Sequence, residues 1–453
     1  MRALHRPVHG RVRRAARVLG SGLIAAVVAL PFLVTSAQAS PAGGRGILEV
    51  DATPDTPDRV NGQPVVAVNP RHPNNLVYAS TDHIVDGAGL VRVECYAAFS
   101  TNGGRTWTRT AWPAGDNPQC GDPYLAVDSK GIFYLAWNQL GCPGDPDGPI
   151  TGTCDGVPNK LGVASSTDGG RTWSHAVDTP AVRAATPRLR VDTATDYVYA
   201  VGASPVGQPG PSAVTVSKDH GLTWTPVEEL PDQPFGNQIA VHSGVLASAT
   251  SEVVVGGVSV EPVNPVFEVS RDYGRTFTAY PVTDSHGVQV APPSGDLVPD
   301  TRLLASDPIP WVTADPARTD RFALLLPRGD NLEVYVTNDA GRTWTGPSVV
   351  AAPGASKPWI DFGPKGTLGI MWRHVAGGLV DTYSTVSFDG GKTFPRTVKA
   401  NRTSEPYTFL GSGGDEWSRI LIHGKYAYVT WADARAGGDV DGIVARVPLS
   451  LYH

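Results

Sequence analysis

The sequence predicts an all-β chain folded as a single seven-bladed β-propeller with four-stranded antiparallel blades. A six-bladed ring is the alternative if the last module is only a partial sheet. Three observations predict this class. An eight-residue pattern, [ST]-x-[DN]-x-G-x-T-[WF], occurs six times. Pairs of short strand-like runs alternate with it, and a seventh pair stands near the C-terminus. The 453 residues include 51 Gly and 40 Pro. That is too many turn-formers for a helical bundle and suits many short strands joined by tight turns.

Residues 1–39 read as a signal peptide and residues 40–453 as the propeller. Arg2, Arg6, Arg11, Arg13, Arg14 and Arg17 occur with no acid, an apolar stretch runs from Leu19 to Val34, and Ala37-Gln38-Ala39 is a small-x-small cleavage site. A retained anchor fits less well, because the stretch is short for a membrane span. Arg13-Arg14 leaves twin-arginine export open beside the general secretory route. The expected location is therefore extracellular. Cleavage removes six Arg and no acid, taking the formal net charge from −6 to −12. So acidic a protein is not expected to bind nucleic acid, and no integral membrane segment is expected after processing.

Four cysteines, Cys95, Cys120, Cys142 and Cys154, are an even count in an exported chain and predict two disulfides. Three pairings are possible. Cys95–Cys120 and Cys142–Cys154 are favoured because each closes a short loop. No C-x-x-C pair is present, so zinc is not expected.

The six copies are Ser100–Trp107, Ser166–Trp173, Ser217–Trp224, Ser270–Phe277, Thr337–Trp344 and Ser387–Phe394, starting 66, 51, 53, 67 and 50 residues apart. A period near 50 residues indicates stacked or radial sheets. In each copy the Asp (Asn102 in the first) can accept backbone N–H bonds in a turn. The Gly can adopt positive φ. The Ser or Thr and the later Thr can bond across a hairpin, and the terminal aromatic can pack between sheets. Six equivalent copies on six units argue against a catalytic or metal role, since one active site cannot use them all.

The strand pairs begin with Val65–Pro70 and Leu76–Ala79 and end with Ile420–Ile422 and Tyr426–Trp431. The run Gly442–Val447 has no box after it. Gly46–Val50, near the other end of the chain, can supply its missing neighbour and leave no open edge.

The repeated pattern resembles the Asp-box, or bacterial neuraminidase repeat. Together with Asp122–Ala136 and Trp431-Ala-Asp-Ala-Arg435, it makes residues 46–449 similar to the sialidase-like β-propeller superfamily. That resemblance specifies the fold closely and the activity poorly, because such propellers include glycosidases, lyases and binding proteins. The early [FY]-Arg-Ile-Pro motif of true sialidases is not found; Asn69–Pro73 and Ile309-Pro310 do not match it.

The resemblance places boxed hairpins on one edge and the functional face on the other. It implies an Arg clamp for a substrate anion, a Tyr nucleophile beside a Glu, and an Asp acid/base. The residues expected in those roles are Arg188, Arg373 and Arg435 for the clamp, Glu405 with Tyr407 as nucleophile pair, and Asp82 or Asp122 as proton donor. Trp311, Trp359 and Trp417 are expected to offer sugar-stacking surfaces. Pairing with nearby acids such as Asp433 is the competing reading for each arginine. A neutral substrate needs two carboxylates instead, such as Asp122 with Glu252 or Glu416. No cofactor is expected, and Gly438–Gly442 is too short a run to argue calcium. No nucleophile elbow, P-loop or H-E-x-x-H occurs. Two functions remain open: a secreted exo-glycosidase removing a terminal sugar, and a non-catalytic propeller binding a glycan or protein partner. A monomer is expected in either case.

Overall fold

The computed structural model describes residues 46–53, 59–86, 89–115, 117, 119–142, 153–154, 157–182, 187–205, 211–231, 238–255, 258–293, 310–406, 418–435 and 440–453. Residues 1–39, Tyr407, Glu416 and Trp417 lie outside them, as do the side chains of Cys154 and Glu252. The described residues are all-β apart from two short 3-10 turns, and every strand pairing is antiparallel.

The chain builds one module after another, each in strand order from first to fourth. The first is Arg59–Val68, Leu76–Asp86, Gly89–Ser100 and Thr108–Thr110. Next come the modules beginning at Gln119–Val127 and Arg188–Asp192; one pairing, Val182 with Ala203, joins these two into a continuous sheet. Modules beginning at Ile239–His242, Trp311–Ala314 and Ala355–Phe362 follow. In the last sheet Arg419–His423, Tyr426–Asp433 and Asp441–Pro448 take Leu48–Asp51 from the other end of the chain as outermost strand. Each first strand lies beside the first strand of the next module, and Arg419–His423 lies beside Arg59–Val68. The expected closure by Gly46–Val50 is therefore seen, with the pairing running from Leu48↔Arg446 to Asp51↔Ile443. Apolar clusters fill the spaces between modules; Val65, Val77, Phe133 and Leu135 are one such set.

The repeated turns are held as their composition suggests, with one difference. Ser270 Oγ accepts the Gly274 N–H at 2.8 Å and donates to Asp272 at 2.8 Å. Asp272 accepts the Thr276 N–H at 2.9 Å and the Thr276 hydroxyl at 2.7 Å. Both hydroxyls thus bond to the acid between them, not across the hairpin. A carboxylate has enough lone pairs for all of these donors and is the stronger acceptor. Asn102 accepts the Arg105 and Thr106 N–H groups at 3.0 Å each and donates to Thr106 Oγ1. Gly274 has φ +94°, and a Cβ there would lie 2.6 Å from Val214 of the preceding module. Glycine is required for conformation and for close approach alike.

The Asp272 carboxyl is pulled down to about 2, first by the Thr276 N–H and then by the Thr276 hydroxyl. Asp389 is also held at about 2: burial opposes this, and bonds from Thr393 and Ser387 outweigh it. Both folded values lie below the unfolded carboxylate value. Their stabilisation is fully present above about pH 4 and is lost as pH falls toward 2. Thermal melts between pH 5 and 2 should show a steep drop in midpoint. Ser270→Ala at neutral pH should cost about 1–2 kcal/mol in chemical denaturation.

Cys95 and Cys120 form the expected disulfide between the first and second modules. Cys142 is also disulfide-bonded; its expected partner, the Cys154 side chain, lies outside the described residues.

Candidate functional site

A recurring position on the first strands organises the inner surface. Pro64, Pro123, Pro187, Pro310 and Pro358 each precede a residue at the same level: Val65, Tyr124, Arg188, Trp311 and Trp359. Four residues beyond four of these stand Asn69, Asp128, Asp192 and Asp315. Gln238 and Arg419 hold the same level, four residues before His242 and His423. The boxes follow third strands and neighbouring strands are antiparallel, so the starts of the first strands lie at the end away from the boxes.

Three prolines mark register shifts: between Gly62 and Val65, between Gly121 and Tyr124, and between Ser356 and Trp359. The residues before them, Gln63, Asp122 and Lys357, have φ of +54°, +54° and +51°. A bulge re-aims side chains, and a non-glycine residue at positive φ is a strained conformation typical of functional sites. Asp122 is fixed there by Gln63 Nε2 at 2.6 Å and Asn138 Nδ2 at 2.7 Å, while its own N–H donates to Thr81 Oγ1 at 3.1 Å.

At the inner level, arginines from two other modules meet around Tyr124. The Arg419 guanidinium lies 3.8 Å from the centre of its ring, Arg190 5.1 Å and Arg188 5.7 Å. Arg190 also bonds to the Tyr124 hydroxyl. Arg419 and Arg190 approach Trp359 as well, at 4.9 and 6.0 Å, and Trp359 packs on Trp311 with ring centres 4.7 Å apart. The Gln238 carboxamide, oriented with its oxygen toward Arg188, accepts from Nε and Nη2 at 2.9 and 2.8 Å. Arg419 is 7% exposed, and its Nε and Nη1 have no hydrogen-bond partner among the described residues.

The electrostatics follow from this crowding. Burial pushes Arg188 down to about 9; the neighbouring cations Arg419 and Arg190 push the same way, while Tyr124 and Asp122 oppose them. Burial likewise pushes Arg419 down to about 10. Burial alone would raise the Tyr124 phenol, but Arg190, Arg419 and Arg188 outweigh it and lower its pKa. The cluster therefore gathers three cations in a low-dielectric setting, where a nearby anion is strongly attracted.

The other expected site residues sit in different company. Arg373 is 1% exposed, bonds to Glu405 and donates to the Ala432 carbonyl at 3.2 Å. Glu405 also accepts the Ala434 N–H at 2.9 Å. Arg435 is paired with Asp433 at 2.7 Å and with Glu49. Arg188 thus gathers with Arg190 and Arg419, whereas Arg373 and Arg435 are committed to carboxylates, the competing reading of each. Asp82 is 1% exposed and paired with Arg59, which also reaches Glu94 at 3.2 Å. Burial raises the Asp82 pKa and Arg59 opposes it. Trp311 and Trp359 are buried against each other and are not open stacking platforms. Sequence reading passed over Tyr124 and Arg190. The repeated proline one residue before the inner level is the signal that marks Tyr124; Arg190 lies two residues beyond that level on its own strand. Among the described residues no cluster of His, Cys, Asp or Glu is arranged to hold a metal ion.

No protein-family model matches the chain, and no curated protein matches it. Solved structures do. The chain is similar to an α-L-arabinanase of Penicillium chrysogenum complexed with arabinobiose, at 15% identity over 89% of this chain and 98% of that one, with TM-score 0.46. It is similar to the α-L-arabinofuranosidase Arb93A of Fusarium graminearum at 13% identity over 90% and 98%, TM-score 0.46. It is also similar to Trypanosoma rangeli sialidase at 11% identity and TM-score 0.45; there the match covers 89% of this chain and 60% of the sialidase. With TM-scores below 0.5, these likenesses leave the chemistry to be read from the chain's own residues.

Proposed function

We propose that the modules are the blades of a single seven-bladed Asp-box propeller, exported by cleavage after Ala39 and working as a monomer. Its function is to act on a glycan, by hydrolysis of a terminal sugar that carries an anionic group. The observation that carries this reading is Arg419, a guanidinium buried between Tyr124 and Trp359 with two N–H groups unpartnered among the described residues. Burying a cation without compensation is costly. A carboxylate arriving with Arg188 and Arg190 close by would supply that compensation through charge-assisted bonds. Asp122, held beside Arg188 by two amides, is the proposed acid/base in place of the ion-paired Asp82. Tyr407 and Trp417, which lie outside the described residues, stay in the proposal as nucleophile and sugar-stacking residue.

The alternative is a non-catalytic binding propeller. It is favoured by the commitment of Glu405 and Asp82 to Arg373 and Arg59, which leaves fewer carboxylates for chemistry. A panel of chromogenic glycosides, including a sialoside and uronides, separates the two. The enzyme reading expects turnover of an acidic glycoside, with Asp122→Asn lowering kcat by roughly 100-fold or more while binding persists. Anionic-sugar binding without turnover of any panel member would establish the binding protein. N-terminal sequencing of the exported protein tests the cleavage site.

A further inference from the structure

The level below the Arg cluster holds one more ionisable group. Two residues beyond Tyr124, Arg188, Gln238, Trp311, Trp359 and Arg419, the first strands carry Ala126, Arg190, Ala240, Thr313, Asp361 and Leu421. Arg190 and Asp361 are the charged residues at this level, on strands from the third and sixth modules. Asp361 retains some solvent contact, so a proton can reach it.

The surroundings of Asp361 can be enumerated strand by strand. From Trp311–Ala314 comes the Thr313 side chain, a hydrogen-bonding neighbour with no charge. From Arg419–His423 come the Ile422 backbone, Arg419 at the level above, and His423, whose pKa burial lowers so that it is neutral near pH 7. Across the inner surface stands Arg190, which favours the ionised carboxyl. On its own strand Lys357 lies at the bulge, and on the paired strand Arg373 is matched by Glu405. Asp315 and Arg321 neutralise each other at 2.8 Å.

We propose that Asp361 is the proton-linked counter-charge of the anion pocket: it gives up its proton more readily when the pocket is empty and holds it more firmly when an anion occupies it. This deepens the anionic-substrate reading and rests on it. The empty pocket holds Arg188, Arg190 and Arg419 with Asp361 among the acids that offset them. A bound anion satisfies the same arginines, so the reason for Asp361 to stay ionised weakens. Its position in the empty state supports a switch near neutrality: burial pushes the carboxyl up to about 7, with Arg190 opposing. The proton comes from solvent and stays on the carboxyl; no bond is made or broken elsewhere. Anion binding therefore takes up a proton, and affinity rises as pH falls through about 7.

Calorimetric titration of the mature protein with sulfate and with glucuronate tests this. Both probes keep a fixed charge between pH 6.5 and 8.5. In that window, measurement in two buffers of different ionisation enthalpy should give an uptake of roughly half a proton per anion at pH 7. Affinity should be several-fold higher at pH 6.5 than at pH 8.5. Asp361→Asn should abolish the uptake, flatten the pH profile and keep binding at the acid-side level. Binding without proton uptake in the wild-type protein overturns the proposal while leaving the anion pocket intact. Uptake that persists in Asp361→Asn overturns it too. Failure of either anion to bind at any pH overturns the anion pocket itself, and this proposal with it. The wild-type measurement decides even if the variant does not fold.

Discussion

Arg419→Met is expected to weaken binding of an anionic ligand by at least about 100-fold and, at the same time, to make the protein more stable. The two effects have one cause. Arg419 is almost wholly buried, and two of its N–H groups lack partners among the described residues. In the empty protein its charge is a desolvation cost offset only in part by the rings of Tyr124 and Trp359, a contribution of about 1–2 kcal/mol. A thioether of similar length keeps the packing and removes the charge. Replacing poorly compensated buried charge by apolar side chains gains about 1–4 kcal/mol in known systems. With ligand present the sign reverses: losing a charge-assisted bond pair costs about 3 kcal/mol, which is roughly 100-fold in affinity. Denaturant unfolding and ligand titration of one variant measure both sides. A variant that is destabilised and binds unchanged would show Arg419 to be an ordinary packing residue.

The second large effect belongs to Arg373 and Glu405. Arg373→Met alone should cost about 3–5 kcal/mol, because it leaves Glu405 buried beside Ala434 with its strongest partner gone. Arg373→Met/Glu405→Leu should recover most of that loss, since removing both charges removes the penalty. Equilibrium unfolding of the single and double variants forms a double-mutant cycle. A substrate clamp behaves otherwise: Arg373→Met would then change stability little and ligand affinity greatly. The outcome therefore separates an ion pair that joins strand ends from an arginine held ready for substrate.

The fold was legible because its signals are local. Each boxed turn is closed by bonds between residues at most four apart, such as Ser270 with Gly274 and Asp272 with Thr276. The closing strand was legible by elimination, as an unboxed Gly442–Val447 needed a neighbour and Gly46–Val50 was unused. The one local misreading concerned the hydroxyls, which bond to the acid because it is the stronger acceptor. The site was legible only in part. Arg188 and Asp122 were singled out, but so were Arg373 and Arg435, which look alike in sequence: each is an Arg near a strand end with acids in reach. Nothing in the local sequence sets Tyr124 apart from the other aromatics of the strand-like runs, or Arg190 from the other arginines.

By itself the sequence determined the repeat and the turns, since these depend on bonds and periodicities within a few residues. Which arginines are neutralised, and which are left facing Tyr124, was decided by tertiary structure alone. Charge compensation falls off over a few ångströms, and the groups involved come from modules far apart in the chain; Glu49 reaches Arg435, and Arg419 reaches Tyr124. Only closing the chain on itself brings such groups within that range.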